Sequence, residues 1–213
     1  RVILVEAGPR LLPTFSEANS ASALRQLEKL RVEVRVGCPV TQVLKTEVRI
    51  GEESISTQTV VWAAGNKASP LGGMLGAETD RAGRVRVLPD LTIPGHPEIQ
   101  AIGDLITATF DKGKPVPGVS PAAMQAGTHA AKNILRQIHG QSPDHWEYFD
   151  KGSMATIGRN AAVAEIGRLA FAGFPAWLAW AFVHLFFLIG FRNRSAVFLQ
   201  WAWAYFTYAK GAR

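Results

Sequence analysis

The stretch best suited to do chemistry is residues 97–104, a short apolar run that ends in Gly103 and Asp104. Further along, residues 120–138 follow a helical pattern that opens with small residues. A carboxylate at the tip of a buried strand can hold the hydroxyl groups of a sugar-like chain, while backbone N–H groups at a neighbouring helix start face an anionic or electron-rich ligand. The same octet taken alone also fits an ordinary Gly-Asp turn.

A second acid, Glu6, follows four consecutive aliphatic residues. Such a run predicts a parallel strand that is covered on both faces. In a dinucleotide-binding unit, an acid at the tip of the second strand accepts hydrogen bonds from the adenosine ribose and repels a 2′-phosphate, which favours NADH over NADPH. A plain solvent-facing acid remains the alternative for Glu6. Because Arg1 already begins a predicted strand, we expect this to be the later part of a longer chain, with the Gly-rich turn upstream.

Small residues mark two further candidate sites. Residues 59–65 predict a second apolar strand that ends in Ala64 and Gly65, where a backbone can approach a planar ligand closely. Tight strand-to-loop packing is the alternative. The predicted helix over residues 120–138 carries small residues along one face, and these are Ala123, Gly127, Ala130 and Ala131. Such a face allows close packing on a flat partner.

The elements that must position these residues follow from periodicity and turn signals. They are a helix capped by Ser16 or Asn19 and running to about residue 30, a strand over 32–36, a β-meander over 40–56, a Gly- and Pro-rich crossover over 66–96, a short strand over 83–87, a polar loop over 111–117 and an antiparallel pair within 148–167.

Length and composition limit the remaining classes. The 213 residues are enough for one large or two small domains. Cys38 is the only cysteine, which excludes an intramolecular disulfide framework and fits a reducing compartment. We expect Cys38 to be a small buried hydrophobic residue rather than a reactive thiol. The sequence offers no Ser-His-Asp set and no metal-ligand cluster, so we predict no catalytic side chain of that kind and no metal.

The C-terminal stretch has a different character. Residues 169–191 contain no Lys, Arg, Asp or Glu and are interrupted only by Pro175 and His184. Residues 196–209 are rich in Trp, Tyr and Phe and lie between cations, namely Arg192, Arg194, Lys210 and Arg213. Aromatic residues flanked by cations belong at the headgroup boundary of a membrane, so we predict a helical hairpin that lies in or dips into one leaflet. A transmembrane span and a protein–protein dimer patch stay open as alternatives.

The net charge of +6 agrees with an anionic membrane surface as the partner of this basic, aromatic end. The sequence shows no recognisable nucleic-acid-binding motif, so we do not expect a nucleic acid as partner.

Five loose motifs occur in a fixed order, at residues 2–6, 61–65, 101–104, 121–127 and 152–159. Together with the aromatic C-terminus, they resemble the type II (alternative, non-proton-pumping) NADH:quinone oxidoreductases, a branch of the two-dinucleotide-binding-domain flavoproteins. The resemblance covers essentially the whole chain, which corresponds to the C-terminal portion of such an enzyme. Both Gly-rich pyrophosphate loops would precede Arg1, so we do not expect these residues alone to hold FAD or NADH tightly.

The resemblance implies an α/β fold that is the C-terminal part of a two-Rossmann-domain flavoprotein. Residues 1–67 would complete the NADH-binding domain, and residues 68–140 would form the C-terminal part of the FAD-binding domain. Residues 141–168 would be a small β segment, and residues 169–213 would be membrane-anchoring helices.

The resemblance also implies site residues. Those assigned to cofactor binding are Glu6, Ala64, Gly65, Gly103, Asp104, Pro121, Ala122, Ala123 and Met124. Glu6 would bind the NADH ribose, Asp104 the flavin ribityl chain, and the start of the 120–138 helix would abut the isoalloxazine ring. Many members carry Ala-Gln where this sequence has Ser120 and Pro121, which leaves Gln125 as the better candidate for a polar contact near the quinone.

By the same resemblance, hydride would pass from NADH to FAD, and two electrons would then pass to a quinone at the cytoplasmic face of the inner (plasma) membrane. The enzyme would be peripheral or monotopic, and a homodimer is left open. Two alternatives remain. A sulfide:quinone oxidoreductase or another disulfide reductase would need redox cysteines besides Cys38, and a membrane-associated scaffold would show no electron transfer.

Overall fold

The computed structural model describes residues 1–65, 67–110 and 113–207. Within these residues the chain forms an α/β fold of two compact units. One unit is Arg1–Val60 together with the described residues from Gly152 onward, and the other is Val61–Lys151.

The described strands are β1 (Val2–Val5), β2 (Val32–Arg35), β3 (Gln42–Val43), β4 (Glu47–Ile50), β5 (Glu53–Ser56), β6 (Val85–Arg86), β7 (Thr92–Ile93), β8 (His96–Gln100), β9 (Ile106–Thr107), β10 (Thr109–Phe110), β11 (Lys114–Pro115), β12 (Ser153–Gly158), β13 (Ala161–Ile166) and β14 (Leu169–Ala172). The α-helices are α1 (Glu17–Lys29), α2 (Leu71–Met74), α3 (Ser120–Ile138), α4 (Phe174–Phe187) and α5 (Phe191–Thr207).

In the first unit, β1 and β2 pair in parallel with α1 as their crossover, as the aliphatic runs predict. Ser16 is the helix cap, because its hydroxyl accepts from the Asn19 backbone N–H at 3.4 Å. The expectation that β1 is covered on both faces is wrong for the described residues. Val2 is 62% exposed, and the other three residues of β1 are only half-buried.

The predicted meander is confirmed as the antiparallel sheet β3–β4–β5. The predicted strand over residues 59–65 is wrong, since this segment forms no strand. Val61 and Trp62 are 85% and 64% exposed. An apolar run becomes a strand only where a neighbour supplies its hydrogen-bond ladder, and no described strand lies against it. Cys38 is half-buried rather than buried.

The C-terminal β segment is confirmed as the pair β12–β13 and extended by β14, in the order β12–β13–β14. Residues 169–172, predicted as the start of an apolar helix, are therefore β-strand. Ile166 pairs with Leu169, so the two residues between them close a tight hairpin. The helix starts only at Phe174, where Pro175 occupies the first turn that tolerates it.

Helix α4 packs its small residue Ala176 against Ala162 and Ala164 of β13, and all three are fully buried. Its other side meets α5 through stacked Trp180 and Trp201 rings, 5.3 Å apart. Helix α5 begins at Phe191, five residues before the predicted start, so Arg192 and Arg194 lie on the helix. The predicted aromatic Tyr208 and the cations Lys210 and Arg213 lie outside the described residues.

Among the described residues, no helix combines the length and the apolarity needed to cross a membrane.

The second unit has its core between short strands and α3. The members of this cluster are Val85, Leu91, Ile93, Ala101, Ile106, Ala126 and Ala130. Helix α3 has the predicted bounds, and its fully buried stripe is Ala122, Ala126, Ala130 and Asn133. Ala131, predicted on the packed face, is exposed, because the face that meets the core is set one residue earlier.

Two local predictions in this unit are wrong. The strand before Asp104, β8, is largely exposed and pairs with β7, so it is not the buried strand that was predicted. The predicted polar loop contains β11, which pairs with β10, because the chain folds back on itself there. Asp111, at the start of that loop, lies outside the described residues.

Candidate functional site

Asp104 lies in a single 3₁₀ turn, Gly103–Leu105, directly after β8 and Ala101. Gly103 has φ +71°, a backbone conformation that residues other than glycine rarely adopt. A Cβ on Gly103 would lie 3.6 Å from the Cβ of Ala123, so the turn packs closely against the first part of α3. Glycine suits this position because of its positive φ, since an added Cβ would make only an ordinary contact with Ala123.

The Asp104 carboxylate faces a cavity of about 570 Å³. The lining residues are Gly65, Lys67, Ala68, Ala82, Arg84, Asp104, Ile106, Val116, Pro117 and Gly118. Asp104 is exposed and has no hydrogen-bond or ion-pair partner among the described residues. A Cβ on Gly118 would lie 3.7 Å from Asp104 Oδ1, so glycine keeps the approach to this oxygen open. An unpartnered carboxylate in a cleft suits a chain of hydroxyl donors.

Two cationic side chains, Arg84 and Lys67, lie on the cavity wall, and Arg84 is held in an ion pair. Arg84 is held by Asp80, with its Nη2 2.7 Å from Oδ2 of that acid. The pKa of Asp80 is lowered, first by the hydrogen bond from the Arg84 backbone and then by the guanidinium and the Ala82 N–H. Lys67 lies on the same lining and is exposed. Sequence reasoning missed Lys67 and Gly118, because only the folded chain brings them beside Asp104.

The residues expected to abut the flavin ring occupy the first turns of α3. Pro121 and Ala123 are half-buried, Ala122 is buried, and Met124 is 63% exposed. Val119 precedes the helix without a capping side chain. The start of α3 therefore has no side-chain cap, and it lies beside the turn that carries Asp104.

Gln125 is engaged at both ends of its amide. Its Nε2 donates to the Phe149 carbonyl at 3.0 Å, and its Oε1 accepts from the Phe149 N–H at 2.9 Å. This pair ties α3 to the segment that follows it. A contact from this amide to a ligand would have to share these atoms.

Ala64 and Gly65, expected to bind the cofactor, are exposed residues of the non-strand segment. Gly65 has φ +72° and lines the same cavity as Asp104, whereas Ala64 is not on the lining. Within this unit, the structure thus brings Gly65, Asp104 and the start of α3 near one another.

Glu6, in the first unit, follows β1 directly and is half-buried. Its Oε1 accepts from the Gly8 N–H at 2.6 Å. A Cβ on Gly8 would lie 3.1 Å from that oxygen, so a side chain at this position would crowd the Glu6 carboxylate. The carboxylate is held at the carboxyl end of a parallel strand, where dinucleotide-binding units bind their ligand.

Sequence reasoning also missed Glu165 on β13. Its Oε1 accepts from the Ser16 N–H at 2.8 Å and from the Asn19 amide at 3.0 Å. Desolvation works to raise the pKa of Glu165, but the hydrogen bonds from Ser16 and Asn19 and the nearby Arg10 charge outweigh it and lower the pKa. No local sequence motif indicates this contact, because Ser16 and Glu165 lie 149 residues apart in the chain.

Comparison with known proteins places the chain in a family. Residues 1–127 match the pyridine nucleotide-disulphide oxidoreductase family, and residues 150–207 match the NDH2 C-terminal domain. The type II NADH:quinone oxidoreductase NdhA of Mycobacterium tuberculosis is 44% identical over 227 residues, which is 99% of this chain and 47% of that protein. Its counterpart in Staphylococcus aureus is 34% identical over 179 residues, covering 81% of this chain and 44% of the relative.

Among solved structures, NDH2 from Plasmodium falciparum in complex with NADH superposes with a TM-score of 0.85. The match has 17% identity and covers 99% of this chain and 59% of that one, so it establishes the fold alone. The chain spans about half the length of the curated relatives it matches. The chain belongs to the pyridine nucleotide-disulphide oxidoreductases and, within them, to the type II NADH:quinone oxidoreductase family.

Proposed function

We propose that the full-length protein is a FAD-dependent oxidoreductase that passes electrons from NADH to a membrane quinone without pumping protons. The observation that carries the proposal is the unpartnered Asp104 carboxylate in a cavity of about 570 Å³, next to the start of α3. The names of the relatives support NADH and quinone as substrates over the sulfide-oxidising and scaffold alternatives.

The residues of the second unit fit a flavin. The free oxygens of Asp104 can accept hydrogen bonds from the ribityl hydroxyls, and Gly118 keeps the approach to Oδ1 open. Pro121, Ala122, Ala123 and Met124 would lie beside the ring system, where the small side chains permit close approach and the helix start favours electron-rich groups. A bound flavin supplies the two-electron centre of the reaction, and these residues hold and orient it.

Glu6, in the first unit, is our candidate for the contact to the adenosine end of NADH. Glu6 would accept hydrogen bonds from the adenosine ribose, and its negative charge would disfavour a 2′-phosphate. Ala64 and Gly65 would border the nicotinamide, where a chain without bulky side chains leaves room for the planar ring.

Gln125 is our candidate for the polar contact to the quinone. Its amide already pairs with the Phe149 backbone, so a quinone carbonyl would share the Nε2 donor with that carbonyl. The pairing fixes the side chain in one orientation, which is what a positioned donor needs.

We assign the family's division to this chain: residues 1–67 to NADH binding, 68–140 to FAD binding, 141–168 to the β segment and 169–213 to membrane anchoring. Exposed aromatic residues support the last assignment: Phe182 and Phe191 are 70% and 85% exposed. Clustered aromatic surface beside Arg192 and Arg194 suits an anionic bilayer surface, and a quinone dissolved in lipid would be met there. We place the enzyme as a peripheral or monotopic protein at the cytoplasmic face of the inner (plasma) membrane.

The test is spectroscopic and uses the full-length protein purified with its flavin. Addition of NADH under anaerobic conditions should bleach the flavin absorbance, and addition of a short-chain quinone should restore it. NADPH at the same concentration should bleach it far more slowly. Absence of bleaching by NADH would contradict the enzyme proposal, and bleaching without recovery by quinone would contradict the proposed acceptor.

A further inference from the structure

The loop between β1 and α1 is folded on itself. Glu6 accepts from the Gly8 N–H at 2.6 Å. Arg10 reaches across the loop and donates to the carbonyl oxygens of Pro13 at 2.8 Å and Phe15 at 2.7 Å. The guanidinium thus closes the loop from within, and the conformation of Glu6 is linked to the path of the residues that follow it.

The far end of this loop is fastened to the C-terminal sheet. Glu165 Oε1 accepts from the Ser16 N–H at 2.8 Å, at the residue that caps α1. The Asn19 amide donates to the same oxygen at 3.0 Å and to the Ala164 carbonyl at 3.1 Å. Asn19 is only 3% exposed, and its bond to the Ala164 carbonyl is buried. A carboxylate at the start of a helix is also favoured by the helix dipole.

A hydrophobic cluster supports the same junction. Phe15, at the end of the loop, packs with Ala23 of α1 and Val163 of β13, and all three are buried. The segment that Glu165 contacts therefore already packs against β13, the strand that carries Glu165. The specific contribution of Glu165 is one acceptor oxygen that joins the Ser16 N–H at the loop end to the Asn19 amide on α1.

We propose that Glu165 is a positioning residue for dinucleotide binding, which fixes the start of α1 and so holds the loop with Glu6 in the form that accepts the adenosine end of NADH. The inference rests on the proposed NADH-binding role of Glu6. A loop ordered before the ligand arrives avoids the ordering cost at the binding step, so loss of the Glu165 contacts weakens binding without touching the chemistry.

The test uses Glu165→Ala in the full-length, flavin-loaded protein. ADP-ribose, which carries the adenosine end of NADH without the nicotinamide, is titrated calorimetrically, and steady-state kinetics are measured with NADH. We expect the Kd for ADP-ribose and the KM for NADH to rise in parallel by about 3- to 10-fold, the effect of one or two lost hydrogen bonds. The kcat at saturating NADH and the flavin content should be unchanged.

Two matched variants distinguish a positioning role of Glu165 from a general weakening of the contact between α1 and β13. Gln26→Ala removes another α1–β13 hydrogen bond, from Nε2 to the Ala162 carbonyl at 3.2 Å, away from the loop. It should leave the Kd for ADP-ribose within about twofold of wild type, since it does not hold the loop. Glu165→Gln keeps an acceptor oxygen and should recover most of the affinity.

The outcomes are distinguishable from failure of the proposed function. If the wild-type protein binds neither ADP-ribose nor NADH, the proposed function fails. If wild type binds and Glu165→Ala binds ADP-ribose equally tightly, or Gln26→Ala weakens it as much, the positioning role is overturned. Should Glu165→Ala not accumulate, Glu165→Asp replaces it. The shorter side chain withdraws the carboxylate by one methylene, so Glu165→Asp should bind ADP-ribose more weakly than Glu165→Gln. Equal affinities of these two variants for ADP-ribose would overturn the proposal.

Discussion

Asp104, Glu6 and Glu165 are three acids with different degrees of engagement. Glu165 has its Oε1 occupied by two donors, and Glu6 accepts from one backbone N–H. Asp104 has no partner among the described residues. A carboxylate that the protein itself does not satisfy is the one most able to bind a ligand, so the flavin proposal depends on Asp104.

Asp104→Ala in the full-length protein should give protein depleted of flavin. Loss of hydrogen bonds to a charged acceptor costs about 1.5–3 kcal/mol, so we expect FAD affinity to fall by about 10- to 100-fold. The measurement is the ratio of flavin absorbance to protein after purification, with a FAD titration of the apoprotein. Asp104→Asn keeps one acceptor oxygen and removes the charge, so its FAD affinity should lie between those of the wild type and Asp104→Ala. Full FAD content in Asp104→Ala would count against the assignment.

At the scale of elements, Gly152 shows how tightly the C-terminal sheet is joined. It lies just before β12 with φ +92°, and a Cβ there would overlap the Glu165 carbonyl oxygen and lie 2.9 Å from the Ile166 Cα. Both neighbours are backbone atoms of β13, which cannot move aside without disturbing the strand pairing.

Gly152→Ala should therefore destabilise the protein by about 2–4 kcal/mol, from the overlap and the left-handed backbone together. The matched control is Gly167→Ala in the β13–β14 turn, where φ is +58° but no atom lies within 4 Å of the added Cβ. That variant should cost only about 1 kcal/mol. Thermal unfolding followed by circular dichroism measures both, and equal midpoints for the two variants would refute the overlap argument.

Prediction of elements from sequence succeeded where the signal is local. Helix α3, the β12–β13 pair and the Ser16 cap follow from periodicity and from one capping side chain. The prediction was wrong at β14, because its four apolar residues precede an apolar helix and were assigned to that helix. The Gly167–Arg168 turn between two apolar runs was the available signal.

At the scale of the whole molecule, the C-terminal helices serve two kinds of contact. Ala176 of α4 is buried against β13, whereas Phe191 and Phe206 of α5 are 85% and 78% exposed. Removing everything after Arg168 would also delete β14 and the sheet-facing side of α4. A cut after Gly190 removes α5 and leaves the sheet covered.

Truncation after Gly190 should release the full-length protein from membranes and cut quinone reduction, while NADH oxidation with a small water-soluble dye continues at a similar rate. Membrane flotation and the two activity assays measure this. Truncation after Arg168 is the comparison and should lower thermal stability as well, because it exposes Ala162 and Ala164. If the shorter cut leaves quinone and dye activities equally intact, α5 is not the route by which quinone arrives.

The sequence by itself determined the α/β class, the bounds of α3, the β segment and the family, because periodicity, caps and short motifs are properties of neighbouring residues. Only the tertiary structure decided which acid stays free. It placed Gly118, Lys67 and Gly65 on one cavity with Asp104, paired Gln125 with Phe149, and gave Ser16 an acceptor 149 residues away. These contacts depend on which distant segments the fold brings into hydrogen-bond range, and no local pattern carries that information.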